Sequence, residues 1–330
     1  MAAWWRSLFG PRFWVMAYGA MILGFVLPAG WLPETFLQGM VPLLLGGILF
    51  FSGLRFPLWE MCEAACSPRL YRQLLALLPV KLAVLPILAY LCVLPFLPAW
   101  AVGVYLVMLM PMGLSSIAFT DLYRGNRMLS IALVVGSSVL APVSVPLLVM
   151  VIQPSDAERL PWLPLLAQAG YILTLLLLPL IASQFARGLF PRTVARYQLS
   201  WNAWAICCSC LLVLASISGT RSMWQGAAWE SLLGAVIACS IATLVTMLAM
   251  VPLWRLMRRE DAVAFALGSI FMNNGLAVAF ALQFFPNQVT MILPAVLMQV
   301  PMVAGTAYIG WLAMRHHRLV SVDSGGKQIE

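Results

Sequence analysis

Charge is what this sequence lacks. Of its 330 residues only 9% are charged, against about 25% in an ordinary soluble domain. Hydrophobic residues make up 63%. One soluble core cannot absorb so much apolar surface, which excludes a water-soluble fold. Histidine is almost missing as well: the two present, His316 and His317, form a doublet near the C-terminus, and no histidine lies within an apolar run. The seven cysteines do not form a disulfide framework. Cys92, Cys207, Cys208, Cys210 and Cys239 fall in apolar runs, and Cys62 and Cys66 in a connecting segment. Cys207-Cys208-x-Cys210 reads first as small polarisable core residues, with a soft-metal site as the other reading. No Gly-x4-Gly-Lys-Ser/Thr loop is present, so direct nucleotide drive is not encoded. Neither a cofactor nor a metal is expected.

What the chain has instead is long apolar runs. Ten are expected as helical spans: Phe13–Leu32, Leu37–Phe56, Leu74–Phe96, Ala99–Tyr123, Met128–Ile152, Trp162–Ala186, Leu199–Thr220, Ala227–Trp254, Ala262–Phe285 and Val289–Met314. Runs near 20 residues match a hydrocarbon core of about 30 Å, so the fold class is an all-α integral membrane protein. The first run follows Arg6 and Arg12 as a signal peptide would. It is too long for an ordinary apolar signal core, and Pro28-Ala-Gly-Trp makes a poor cleavage site. The gaps are short, leaving one transmembrane domain and a tail over 315–330.

The net charge of +8 invites a nucleic-acid reading, but the placement of the basic residues explains it otherwise. The N-terminus holds Arg6 and Arg12, and the second loop Arg55, Arg69 and Arg72. The fourth loop holds Arg124 and Arg127, the sixth Arg187, Arg192 and Arg196, and the eighth Arg255, Arg258 and Arg259. The tail adds Arg315, Arg318 and Lys327. Of the basic residues outside the spans, only Arg159 and Arg221 lie in odd-numbered loops. The positive-inside rule then puts both termini in the cytoplasm. Topology accounts for the basic excess, and no nucleic acid or obligatory protein partner is implied.

Lys81 is the one basic residue at depth. It lies nine residues beyond Arg72, about 13 Å into the membrane at the helical rise. A charge there marks a functional site unless its long stem carries it back to the interface. Asp121 and Glu230 lie near span ends, and the other carboxylates are read as belonging to loops and tails. Two spans also carry helix-breaking residues. The fourth reads Leu109-Met110-Pro111-Met112-Gly113-Leu114-Ser115-Ser116. Proline removes a donor there and glycine loosens the turn, although a simple proline kink would explain it too. The ninth reads Phe271-Met272-Asn273-Asn274-Gly275. Asn and Gly are weak helix formers, and backbone groups freed within a bilayer must be buried in protein or line a cavity. The alternative to a site is an amide clamp between helices.

The breaks fall at matching places. Ten spans divide into two sets of five, 13–152 and 162–314, with the broken helix fourth in each. The span after each break carries two prolines, Pro142 and Pro146 or Pro294 and Pro301. An odd repeat inverts its second copy, and paired discontinuous helices in inverted halves point to a transport site at the membrane midplane.

At these residues the sequence resembles the bile acid:sodium symporter family. The landmarks are Gly53-Leu-Arg-Phe-Pro, Lys81-Leu-Ala-Val-Leu-Pro86, Pro111-Met-Gly-Leu-Ser-Ser116, Tyr123-Arg-Gly-Asn126 with Ser130, and Met272-Asn-Asn-Gly-Leu276, in order along nearly the whole chain. The resemblance implies ten helices, with 1, 2, 6 and 7 forming a panel and 3–5 and 8–10 a core in which discontinuous helices 4 and 9 cross. It also implies sodium behind the crossing, and there this chain departs. Ser116 and Ser130 retain the chemistry, but family ligand positions fall at Ile117, Val134, Gly268, Met272 and Lys81. A sodium site needs oxygen ligands. Here a carboxylate is gone and a cation has entered, so sodium coupling is expected to be lost.

The expectation is therefore a secondary transporter, not an enzyme, in a bacterial inner membrane. Its substrate would be a small organic anion, a carboxylate or sulfonate, facing Asn273, Asn274, Ser115 and Ser116 beside the breaks at Pro111, Gly113 and Gly275. Lys81, Ser116 and Ser130 form the expected coupling site, with the ammonium donating to carbonyls freed in the ninth span and a proton gradient in place of sodium. A non-transporting sensor on the same fold and an intramembrane Ser–Lys dyad are the other classes compatible with these residues.

Overall fold

The computed structural model describes residues 13–28, 30–55, 67–152, 162–221, 229–285 and 288–325. Among them every regular element is helical. The helices are α1 (Phe13–Val26), α2 (Glu34–Gly53), α3 (Pro68–Val93), α4 (Pro98–Leu109), α5 (Ser115–Leu122), α6 (Arg127–Ile152), α7 (Trp162–Leu189), α8 (Pro191–Arg196), α9 (Gln198–Gly219), α10 (Trp229–Leu256), α11 (Arg259–Ile270), α12 (Asn274–Phe284), α13 (Val289–Leu297) and α14 (Gln299–Gly325). Each expected span is occupied by helix. The tail is different, because α14 runs on to Gly325 and residues 315–325 continue the helix.

Six of these helical stretches are long and apolar enough to cross a bilayer. The outside of the molecule agrees with this. Leu43 is 74% exposed and Leu248 61%, in the middle of helices with no polar neighbour to excuse them. A water-soluble monomer does not present that much contiguous aliphatic surface.

The spans interrupt where their sequences resist the helix. Proline at 111 offers no N–H, and α4 ends at Leu109. The ninth span stops at Ile270, and α12 starts at Asn274 with Asn273 as its cap: the Asn273 Oδ1 accepts from Leu276 N at 3.1 Å. An asparagine cap satisfies one of the donors orphaned at a helix start. In α3 the disturbance is milder. Pro86 cannot donate to Leu82, and the backbone widens over Val80–Val84, with Leu85 N reaching Val80 O one residue further back than usual.

Packing divides the helices into two groups. α9 lies along α2 and α1, and α7 also lies along α2. In the second group α4 packs on α3 and α13, α10 on α3, α11, α13 and α14, and α11 on α5, α6 and α14. α7 touches α6, and α12 touches α2, so the groups meet along these seams.

Candidate functional site

The two breaks meet. Met112 and Met272 form an isolated antiparallel bridge. Gly113 N donates to Phe271 O at 2.7 Å, and Asn273 N donates to Pro111 O at 2.9 Å. Backbone groups released by each interruption are thus satisfied by the other, as a bilayer demands. Gly113 favours this approach: a Cβ there would lie 3.1 Å from Phe271 O and 3.2 Å from Met272 O, a tight fit against backbone. Phe119 of α5 lies against Phe271, ring centroids 5.3 Å apart.

An open cleft borders this crossing. The first helix group supplies aliphatic wall, including Met21, Leu45, Ile48 and Leu212. The other wall is the crossing itself, with Gly113, Ser115, Asn273, Asn274 and Gly275, and Gln299 at the start of α14. Asn274 is buried, its Nδ2 lies 3.8 Å from Met302 Sδ, and its Oδ1 has no partner. A buried carbonyl oxygen without a donor costs free energy; as an acceptor it cannot bond an anion, for which the donor on this amide is the Nδ2 that faces the Met302 thioether. The helix starts at Ser115 and Asn274 add partial positive charge.

The expected residues therefore separate. Ser115, Asn273, Asn274, Gly113 and Gly275 line the cleft, and Pro111 lies behind it in the bridge. Ser116 is fully buried, is not among the residues lining the cleft, and its Oγ has no partner. Thr120 Oγ1 donates to Ser116 O at 2.8 Å, and the buried Ser130 hydroxyl lies 3.2 Å from the same Oγ1, to which it can donate.

Lys81 does not snorkel. It is completely buried in the widened turn of α3, and its Nζ donates to Met108 O at 2.8 Å. The expected acceptors in the ninth span are not the ones used. Met108 belongs to the fourth span, and its carbonyl is free because Met112 N, its partner in an unbroken helix, donates to Ser137 Oγ at 3.1 Å. The lysine thus closes the C-terminal end of α4, where the helix dipole is negative. It hydrogen-bonds neither Ser115 nor Ser116, so the contact a Ser–Lys nucleophile requires is not made. Nor does it line the cleft, so no full positive charge is presented to a ligand there.

Around Gly268, and at Ile117 and Val134, the side chains are apolar or thioether. A Cβ at Gly268 would meet the Met112 thioether, which fills the space a longer side chain would take. Ile117 and Val134 are buried apolar side chains. Among the described residues no group of three or more His, Cys, Asp or Glu could hold a metal. The Cys207-Cys208-x-Cys210 run lies on α9, with Cys208 Sγ packed toward Gly47 of α2.

One carboxylate escaped the sequence reading. Asp261, placed there among loop residues, is 2% exposed in the first turn of α11. Its Oδ2 accepts from Gln73 Nε2 at 2.8 Å and Arg69 Nη2 at 3.2 Å, and its Oδ1 accepts from Asn126 Nδ2 at 2.6 Å. The available signal was the spacing of Arg69 and Gln73, four apart on one face of an amphipathic helix start.

Interrupted helices joined back to back among apolar helices define a polytopic membrane protein with a cleft beside the crossing. The chain belongs to the sodium bile acid symporter family, whose model matches residues 42–225. The match takes in the Lys81 turn and the fourth-span break and stops before the ninth span. A Bacillus subtilis (strain 168) protein described as the uncharacterized sodium-dependent transporter YocS is 30% identical over 212 residues, covering 63% of this chain and 62% of the relative.

Proposed function

We propose that this protein is a secondary transporter of a small organic anion, a carboxylate or sulfonate, that works by alternating access in a bacterial inner membrane and is not coupled to sodium. The observation that carries the reading is the junction of the two breaks beside the cleft. Discontinuous helices meeting at depth are where secondary transporters hold their substrates. Ser115, Asn273 and Asn274 are the contacts, with the two helix starts supplying the attraction for an anion.

Ten spans in two inverted repeats, 13–152 and 162–314, follow from the same reading. The antiparallel pairing of residues from corresponding spans supports the inversion. Helices α1, α2, α7 and α9 form the panel, and the remaining spans form the core that carries the crossing. Family membership and the Bacillus relative favour transport over a sensor.

Sodium independence sets the chain apart from what that relative's description says. Its support is Lys81, Gly268 and Met112: a fixed ammonium and a thioether where oxygen ligands would be needed. Lys81 stands in for the coupling cation, and the gradient left for such a group is the proton's. The test is uptake of a carboxylate panel into proteoliposomes. We expect uptake driven by an imposed pH gradient, unchanged when choline replaces sodium at constant ionic strength. Lys81→Met keeps the stem, removes the charge and should abolish that pH dependence. A saturable gain specific to sodium would refute the coupling scheme, and no uptake of any anion would refute transport.

A further inference from the structure

Asp261 lies apart from the cleft, yet it joins the elements that build it. Its three donors come from α3, through Arg69 and Gln73, and from the turn between α5 and α6, through Asn126. Asn126 is itself held twice more: its N donates to Glu260 O at 2.8 Å, and its Oδ1 accepts from Leu129 N at 3.1 Å at the start of α6. The turn is tight here too, since a Cβ at Gly125 would meet the Val263 side chain of α11 at 2.9 Å.

The second half of the fourth span and the first half of the ninth thus lie side by side, fastened at both ends. One fastening is the bridge between Met112 and Met272 and the other is Asp261, with Phe119 and Phe271 in contact between them. Helix α3, which carries Lys81, is tied to the same carboxylate. A buried carboxylate that accepts from three donors, one of them cationic, holds its donors in fixed directions.

We propose that Asp261 is a positioning residue for the cleft: it sets the register of the two interrupted spans, so that Ser115 arrives opposite Asn273 and Asn274. The role rests on the cleft being the binding site, but the register itself is measurable without a ligand. Residues 112 and 272 form the narrow type of antiparallel pair, with Cα atoms about 4.5 Å apart, which lies within disulfide range. In protein whose native cysteines are replaced by serine, Met112→Cys and Met272→Cys should crosslink rapidly.

Asp261→Asn turns a carboxylate oxygen into a donor facing donors. It should slow crosslinking and weaken binding of a transported carboxylate by about tenfold, a common size for coupling between separate sites. The reciprocal exchange Asn126→Asp with Asp261→Asn keeps one carboxylate–carboxamide pair and should restore both. Crosslinking at the wild-type rate in folded Asp261→Asn would overturn the proposal. If that variant does not fold, Gln73→Leu and Asn126→Ala each remove one arm: slowed crosslinking in both supports the role, and wild-type rates overturn it. Wild-type protein that crosslinks but binds no carboxylate would refute the cleft reading alone, leaving the crosslinking comparison to decide on Asp261.

Discussion

Adjacent asparagines have opposite jobs. Asn273 spends its side-chain oxygen on Leu276 N as a helix cap, while Asn274 leaves its oxygen unbonded at the cleft wall. Asn273→Ala should therefore lower stability by about 0.5–2 kcal/mol, the worth of a cap, and shift the thermal midpoint down. Asn274→Ala removes an unsatisfied carbonyl and leaves the midpoint nearly unchanged, but it should weaken ligand binding. Thermal unfolding and a binding isotherm on both variants separate the roles. Equal losses of stability in the two would mean that Asn274 also serves only the fold. The sequence showed this pair as a break with two readings, a site and a clamp between helices; Asn273 caps its own helix start, which is neither, and the site reading for Asn274 is what the binding isotherm tests. Periodicity could not divide them, because both are polar, adjacent and at the same depth. Lys81 was legible as a charge at depth, but its acceptor was not. Which carbonyl a break releases depends on where Met112 N goes, and that is decided by Ser137 on another helix.

At the scale of the element, the breaks were written in Pro111, Gly113 and Asn273-Asn274-Gly275, residues that lower helix propensity in runs otherwise apolar. Their crossing was expected from the family resemblance, but the main-chain bonds that make it were not. Main-chain pairing between residues 112 and 272 leaves no trace in side-chain pattern. Only Gly113 hints at it, since the close approach leaves little room for a Cβ. Gly113→Ala should push the two strands of the bridge apart and cost about 1–3 kcal/mol, as overpacking does. The crosslink formed between Met112→Cys and Met272→Cys and the thermal midpoint both report it, and a variant with wild-type values would show that the bridge has slack. The π-like widening in α3 was equally hidden. Pro86 announced a disturbance, but not that it would turn Lys81 inward toward α4.

The whole molecule was the most legible scale, because a bilayer imposes long apolar runs that composition alone reveals. The ten expected ranges all carry helix, although the last helix runs eleven residues past the expected end at Met314. Asp261 escaped because a carboxylate at the edge of an apolar run, next to Glu260, looks the same whether it faces water or three buried donors. Orientation rests on the arginine distribution. A reporter fused after Met314 should be active only in its cytoplasmic form, and activity of a periplasmic reporter there would reverse the expected topology.

The bonds that join the two breaks run from main chain to main chain, so no side chain takes part in them. The groups that hold the crossing together and the groups that face the cleft are therefore different sets of atoms. Side chains at positions 115, 274 and 299 can be exchanged without touching a hydrogen bond of the junction. A scaffold divided in this way is free to change its cargo by drift at a few wall positions while its moving parts stay the same.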